Sequence, residues 1–486
     1  MSHLVARNTF YLTLAFVGQK AIAFFYYIFL ARMMMPEKTG TYFLALSIMI
    51  IISVIADFGT TSVLIREGAK DKSQIKVFIQ KSLSFKMPLV IFGFIITLLV
   101  AWLLPYDPLT RFLIAVSSFI LVLDSFSLFF YGVLRAYQLL RYESMGMLFG
   151  QFLTATLGVC ILFFYPSLIF LVFALLLGSS FNLIFSALQV VGRLGKEILI
   201  PLYDRVFIKR LIWMAFPFAL SAIFVKVYSY TDSILISFFL GKEEVGIYSI
   251  AYKFTYAFQF LPLAFIASLY PEMSRLVDKH QGSLLRLLDR SFWYMMLLAS
   301  PLCFGIWSIA SDAIELTGDA YLQAVPVLQS LIFVLIPIFL DFPIGSLLNA
   351  AGRQSLKTSI MGVTMLINVF FNILFIPIFG ILGASYAALI SFFFMFLAGL
   401  ISVRKIFPDF SWWHFLRMII PIFLSGWVMG LIVFEIRPII GFIPSVISGF
   451  FIYFILLILT GSFNWKHLFS LMGFFKPYAK NTSLDA

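Results

Sequence analysis

Charged residues are scarce in this chain. Only 12% of its 486 residues are Asp, Glu, Lys or Arg, and soluble globular proteins carry about twice that share. So few charges exclude an ordinary soluble domain and a solvated disordered chain, because little of the sequence is suited to water. Apolar residues make up 62% of the chain and the mean hydropathy is +1.03. The composition is that of a membrane protein.

Cysteine and histidine are scarce as well. The two cysteines, Cys160 and Cys303, both lie within apolar runs, so we predict no disulfide framework. The four histidines are scattered without metal-ligand spacing. A phosphate-binding loop is also missing from the sequence. We therefore expect no metal, no cofactor and no ATP hydrolysis by this chain.

Long apolar runs fill the sequence instead. Each run has about twenty residues, the length that a helix needs to cross the ~30 Å hydrocarbon core of a bilayer. Helices are expected because lipid offers no hydrogen bonds to a bare backbone. The fourteen spans are predicted at residues 10–33, 40–62, 86–104, 112–134, 144–164, 168–190, 213–238, 246–270, 291–310, 322–348, 358–377, 382–402, 418–436 and 442–462.

The basic residues predict the orientation of these spans. With the N-terminus in the cytoplasm, 26 of the 34 Lys and Arg residues fall on the inner side and five on the outer side. Cytoplasmic loops carry such an excess of positive charge. The sequence therefore predicts a multi-pass protein of the cell membrane (inner or plasma membrane) with both termini in the cytoplasm.

Part of the sequence is repeated. Residues 30–47 match residues 236–253, so that Gly40-Thr41-Tyr42 falls on Gly246-Ile247-Tyr248. A weaker match places Asp124 of span 4 on Asp341 of span 10. The repeat unit is six spans, and an even number predicts a pseudo-twofold axis along the membrane normal.

The repeat predicts the domain organisation of an all-α, polytopic membrane protein. Residues 1–190 are expected to form an N-terminal lobe of six spans, and residues 213–403 a C-terminal lobe of six spans. Residues 191–212 are predicted to be a cytoplasmic linker, and residues 404–486 to hold the last two spans and a tail. Two such lobes are typical of transporters that work by alternating access.

Several segments resemble one family in order and spacing over most of the chain. Residues 232–251, DSILI…GKEEVGIYSIA, resemble the seventh-to-eighth-span signature of the polysaccharide repeat-unit flippases. Those proteins belong to the multidrug/oligosaccharidyl-lipid/polysaccharide exporter superfamily. LAR…GTY (30–42), DFG…RE (57–67) and LLNAAGR (347–353) resemble its first two spans and its tenth-span exit. The resemblance implies fourteen helices and movement of a lipid-diphosphate-linked oligosaccharide between leaflets. Carriers of teichuronic-type glycans and of peptidoglycan precursors are not separated by these motifs.

Three lysines lie inside predicted spans: Lys20, Lys226 and Lys253. A charge at the centre of a span costs roughly 2.5–3.5 kcal/mol, so it persists where it faces a cavity or a partner. In the resembling family, spans 1, 2, 7 and 8 line the central cavity, where cations suit a diphosphate. The alternatives are pairing, such as Lys226 with Asp232, and snorkelling of Lys253 towards the outer face. Arg66 is the fourth cationic candidate.

Aromatic and amide side chains on spans 7 and 8 are candidates for sugar recognition. Tyr252, Tyr256 and Gln259 share a helical face by their spacing, and Tyr230 lies on the preceding span. The alternative for these residues is an interfacial aromatic belt or ordinary packing.

Four aspartates are candidates for binding a coupling ion: Asp57, Asp124, Asp232 and Asp341. Asp124 lies in the middle of a span and is the first candidate for proton or cation coupling. A structural hydrogen bond to a neighbouring serine or helix is an equal alternative.

The sequence therefore predicts a flippase for a polyprenyl-diphosphate-linked oligosaccharide and no enzyme. Its expected partners are the lipid-linked glycan and the bilayer, with a glycan polymerase or another envelope-assembly protein as a candidate, and no nucleic acid. The alternatives are a cation-coupled multidrug antiporter of the same superfamily and a membrane-embedded glycan polymerase. The polymerase is disfavoured because no outer connector exceeds about a dozen residues.

Overall fold

The computed structural model describes residues 2–277 and 281–463. Its first seven helices are α1 (Ser2–Met33), α2 (Pro36–Asp57), α3 (Thr60–Lys70), α4 (Ile75–Leu103), α5 (Pro108–Ala136), α6 (Leu140–Phe164) and α7 (Leu168–Leu194). The rest are α8 (Arg205–Phe239), α9 (Lys242–Tyr256), α10 (Phe260–Leu276), α11 (Gln281–Ser308), α12 (Ala310–Glu315), α13 (Ala324–Leu331), α14 (Leu335–Ala350), α15 (Gln354–Phe379), α16 (Ile381–Ile406), α17 (Trp412–Ile440) and α18 (Phe442–Leu459). The cytoplasmic tail predicted beyond residue 463 lies outside the described residues.

The all-α, polytopic fold is confirmed. The described residues form helices and no strand, and thirteen of the helical segments are long and apolar enough to cross a bilayer. Large apolar side chains such as Phe25, Trp102 and Phe164 remain exposed on the outside of the bundle. Such exposure is costly in water and favourable in lipid, so the exterior of the helix bundle is suited to a bilayer.

The eighth predicted span, 246–270, is not one helix. It is built from α9 and α10, which are joined by a 3-10 turn at Ala257–Gln259. Neither piece alone meets the length of a spanning helix. Hydropathy alone did not reveal this break, because the apolar run of the sequence continues across it.

Several helices begin well before their predicted spans, α4 and α8 among them. Helix α4 starts at Ile75 instead of 86, and α8 starts at Arg205, inside the predicted linker. The side chain of Asp204 accepts hydrogen bonds from the backbone amides of Val206 and Phe207, both at 3.0 Å, and thereby caps α8. These first turns are amphipathic or polar, so an apolar window does not include them.

Helix packing follows the chain order within each half. Helices α2, α4, α5, α6 and α7 pack among themselves, and so do α11, α14, α15, α16 and α17. The two halves meet mainly where α2 packs against α8 and α9. Helix α8 also packs along α15, so it contacts both halves of the molecule.

Candidate functional site

The two repeated segments contact each other at one end of the molecule. A Cβ atom added to Gly40 of α2 would overlap the carbonyl oxygen of Lys242, and one added to Gly246 of α9 would overlap that of Pro36. The contact is reciprocal, as a twofold relation between the segments requires. Only glycine allows two helix backbones to approach so closely. We call Pro36, Gly40, Lys242 and Gly246 the glycine seal.

Charge pairs hold the glycine seal together. The Nζ atom of Lys242 lies 2.5 Å from Asp107 at the start of α5 and 3.5 Å from Glu37 of α2. Partial burial raises the pKa of Asp107, but hydrogen bonds to its charged form, first that from Lys242, bring it down to about 2. At neutral pH, Asp107 is therefore ionised and paired with Lys242 at the glycine seal.

The three intramembrane lysines lie at one depth below this end. Lys253 is eleven residues from the start of α9, and Lys20 and Lys226 are each thirteen residues from the ends of α1 and α8. At 1.5 Å per residue, these separations correspond to about 17–20 Å. The lysines thus lie near the middle of the bilayer core.

The three lysine side chains lie close together where the halves meet, and their accessibility indicates a shared concave space. Lys20 is exposed, and Lys226 and Lys253 are half-buried, yet protein surrounds all three on most sides. A side chain that is both accessible and surrounded lines a concave wall, whereas a lipid-facing side chain has protein on one side only. Lys20 also lies within electrostatic range of both other lysines. We call this space the lysine chamber.

None of the three ammonium groups has a carboxylate partner among the described residues. Lys253 instead lies 4.8 Å from the ring of Tyr27 and 5.3 Å from that of Phe43, which belong to α1 and α2. Lys226 lies 5.8 Å from the ring of Tyr230. Aromatic faces attract cations without neutralising them, so the positive charge of the chamber stays available.

Tyrosines form a continuous wall beside the lysines. The ring of Tyr252 lies 4.3 Å from that of Tyr256 and 6.0 Å from that of Tyr230. Tyr27 donates a 2.7 Å hydrogen bond to Ser249 and ties α1 to α9. Tyr252 and Tyr256 therefore lie on one helical face, as their spacing in the sequence predicts. Gln259 lies in the 3-10 turn, which rotates it about 60° from the predicted face.

Arg66 lies apart from the lysine chamber. It pairs with Glu67 at 2.9 Å, and its guanidinium lies 5.7 Å from the ring of Phe218 on α8. Phe218 is eight residues before Lys226 on the same helix, which corresponds to about 12 Å. The structure thus brings six of the eight predicted binding residues close together, whereas Arg66 lies apart from them and Gln259 lies in the 3-10 turn.

Two of the four candidate aspartates form ion pairs. The carboxylate of Asp57 lies 3.2 Å from the Nζ atom of Lys86, whose side chain is fully buried. Asp341 of α14 lies 2.6 Å from the Nζ atom of Lys357 on α15. Both pairs join neighbouring helices of the same half, so a structural role accounts for these charges.

The other two aspartates have no ion pair among the described residues. Asp232 is buried and accepts hydrogen bonds from Tyr248 at 2.7 Å and from Asn372 at 3.3 Å. The pairing of Lys226 with Asp232 that the sequence left open is therefore absent. Asp124 is exposed but surrounded by protein, and it lies beside Ser179 of α7.

Sequence reasoning missed the partners of these aspartates. Lys86 and Lys357 stand at the predicted starts of spans at 86 and 358, but Lys86 is fully buried and Lys357 half-buried in the bundle. Asn368 and Asn372 line the Asp232 site, and one amide atom of each is buried without a hydrogen-bond partner in the described structure. Two asparagines one helical turn apart within an apolar span are unusual, and this pattern in the sequence would have identified Asn368 and Asn372 as candidate site residues.

Comparison with known proteins places the chain in a family. The family model described as polysaccharide biosynthesis protein matches residues 5–277, more than half of the sequence. The chain belongs to this polysaccharide biosynthesis family. The MatE family model matches residues 217–374 as well. The predicted resemblance is confirmed.

The chain also resembles an individual relative in sequence. It is 30% identical to the probable flippase AglR of Haloferax volcanii over 248 residues, which are 49% of this chain and 52% of AglR. The match thus spans about half the length of that relative.

Solved structures share the fold. The lipid II flippase MurJ in an inward closed conformation superposes with a TM-score of 0.75 at 14% identity, over 94% of this chain and 99% of MurJ. An inward-facing multidrug transporter of the MATE family superposes with a TM-score of 0.66 at 16% identity, over 81% and 96% of the two chains. Together, the matches show a multi-pass membrane protein of the polysaccharide biosynthesis family that shares the fold of these solved transporters.

Proposed function

We propose that this protein moves a polyprenyl-diphosphate-linked oligosaccharide from the inner to the outer leaflet of the cell membrane. Residues 1–190 and 213–403 act as two lobes that rock about the lysine chamber, with both termini in the cytoplasm. One observation carries the proposal: three lysines, which have no carboxylate partner within residues 2–277 and 281–463, share one depth below the glycine seal. Cargo is bound and moved, and no covalent bond is broken.

The chamber chemistry suits an anionic head-group. A diphosphate presents several oxygen acceptors, and each charge-assisted hydrogen bond contributes about 1.5–3 kcal/mol. Lys20, Lys226 and Lys253 supply such donors in a region that excludes most water. Tyr252 and Tyr256 offer ring faces and hydroxyl groups to the sugars, while the polyprenyl tail stays in lipid. An empty chamber leaves three cations in mutual repulsion, and an anionic cargo relieves it.

Alanine substitution of Lys226 tests this proposal. The measurement is the fraction of lipid-linked glycan that a membrane-impermeant reagent reaches from outside, at matched expression. We expect Lys226→Ala to reduce delivery about tenfold or more, which corresponds to one charge-assisted hydrogen bond. Lys209→Ala is the matched control because Lys209 is exposed on the same helix, α8, outside the chamber. Unchanged delivery by Lys226→Ala would remove this residue from the binding site.

A cation-coupled multidrug antiporter is the second candidate function. It is favoured by the match of the MatE model and by Asp124 and Asp232, which have no ion pair among the described residues. A carrier of lipophilic cations would lower their accumulation in cells, and Lys226→Ala would leave that efflux unchanged or raise it. Efflux of this kind, with glycan delivery independent of the protein, would favour the antiporter.

A further inference from the structure

A second cavity lies where the first turns of α11 and α17 meet the end of α18, and it shares no lining residue with the lysine chamber. Its volume is about 460 Å³, within the range of small-molecule sites. It is lined by Arg286, Asp289, Arg290, Trp293, Tyr294, His414, Arg417, Met418, Pro421, Thr460, Gly461 and Ser462. We call it the arginine pocket.

Local structure fixes the walls of the arginine pocket. Arg286 and Arg290 are four residues apart and so lie on one face of α11. Gly461 has a φ of +66°, which lets the chain turn back after α18. The indole nitrogen of Trp293 then donates a 3.2 Å hydrogen bond to the carbonyl oxygen of Ser462. This bond joins the end of α18 to α11.

The arginine pocket carries an excess of positive charge. Among the described lining residues, Asp289 is the one carboxylate, and it lies 3.6 Å from the Nε2 atom of His414. Across the described part of the chain, Arg286, Arg290 and Arg417 form no ion pair: Arg286 donates to the hydroxyl of Ser283 at 2.9 Å, and Arg417 stacks over Trp413 at 5.0 Å. Guanidinium groups without carboxylates fit phosphate oxygens in a bidentate way.

The arginine pocket lies at the level of lipid head-groups. Its arginines fall within six residues of the predicted span starts at 291 and 418, on the side where basic residues are concentrated. Exposed apolar side chains flank it, including Trp413, Ile420 and Leu459. Tryptophans and arginines at this depth are typical of the membrane–water interface.

We propose that the arginine pocket binds the phosphate of an anionic phospholipid from the surrounding leaflet. Arg286, Arg290 and Arg417 hold the phosphate oxygens, and the acyl chains lie along the exposed apolar surface of α17. A lipid is favoured over a soluble anion because the positive wall borders directly on lipid-facing residues. The proposal does not depend on what the lysine chamber carries.

Lipid titration of the purified full-length protein tests the proposal. Phosphatidylglycerol and phosphatidylcholine are added separately in mixed micelles, and bound lipid is counted by native mass spectrometry alongside the thermal unfolding midpoint. We expect the parent to retain about one phosphatidylglycerol, and the double variant Arg290→Gln/Arg417→Gln to bind it about ten- to thirtyfold more weakly. Arg205→Gln/Lys209→Gln, on exposed residues of α8, is the matched control and should bind as the parent does.

Several results would overturn the proposal. These are parental lipid binding by the double variant, an equal loss in the control, or equal retention of phosphatidylcholine. Stabilisation by inorganic phosphate equal to that by phosphatidylglycerol would assign the pocket to a soluble anion instead. Displacement of phosphatidylglycerol by purified lipid-linked glycan would assign it to the transport path. If the double variant fails to fold, the exposed single variant Arg290→Gln should still weaken phosphatidylglycerol binding severalfold.

Discussion

Replacing Gly246 with alanine should open the glycine seal. The added Cβ would occupy the position of the Pro36 carbonyl oxygen, which belongs to the backbone of α2 and has no rotamer to move away. Helices α2 and α9 must therefore separate at this end of the molecule. In an outward-open state of the kind that alternating access requires, these helices are already apart and the methyl group meets no obstacle.

The size of the effect follows from overpacking. An extra methylene in a well-packed contact costs about 1–3 kcal/mol. Because this cost falls on the sealed state alone, it shifts the equilibrium between sealed and open states by about 5- to 150-fold. The paired charges of Lys242 and Asp107 oppose the shift, but partly exposed pairs contribute only about 1 kcal/mol or less.

Thiol labelling from outside measures this shift. The two native cysteines are first replaced, and Lys20→Cys places one reporter thiol in the lysine chamber. Gly246→Ala should raise the rate of labelling by an impermeant maleimide about tenfold or more. Gly192→Ala is the control, because a Cβ at Gly192 meets no atom within 4 Å. Parental labelling by Gly246→Ala, at an unchanged thermal midpoint, would refute the reasoning.

Three further predictions concern the charged residues. The Asp107 pKa of about 2 lies below its unfolded value, so the contribution of the Lys242–Asp107 pair should persist at higher pH and be lost as pH falls through about 2; because only the thiolate reacts, the labelling rate is divided at each pH by that of a fully exposed cysteine, and this ratio should stay flat from pH 5 to 8, so that a rise within that range would contradict it. Lys357→Ala leaves buried Asp341 unpaired and should lower the free energy of unfolding by about 3–5 kcal/mol, whereas replacing both residues with apolar ones should restore most of it in denaturant titrations. Asp124→Asn should abolish the dependence of transport on a proton gradient, and equal dependence in parent and variant would exclude Asp124 as the coupling site.

Most of the spanning helices were predictable because hydropathy acts over whole spans. The starts of α4 and α8 were not, since their first turns lie beyond the apolar core, and the first turn of α8 is capped by the side chain of Asp204. The 3-10 break at Ala257–Gln259 could not be predicted from the sequence either. It depends on tertiary packing, and its apolar sequence continues that of both neighbouring helices.

The candidate site was predictable to the level of its helices. The repeat aligned Gly40 with Gly246, and the structure shows the two residues in direct contact. The charges inside spans also identified Lys226 and Lys253 as candidate site residues. The contacts of a charged residue could not be predicted, because they depend on the direction of its side chain. Asp57 was a candidate for ion coupling in the sequence. A single sequence does not show that the side chain of Lys86, on α4, forms an ion pair with it.

The division of the eighth span into α9 and α10 has a mechanical consequence. A continuous helix bends sharply only by giving up main-chain hydrogen bonds, whereas α9 and α10 already end and begin at separate turns. The lower segment, which packs mainly against α14, can thus change its angle at Ala257–Gln259 while the upper segment stays packed against α2. A joint placed there lets the wall beside Lys20 move independently of the sealed end.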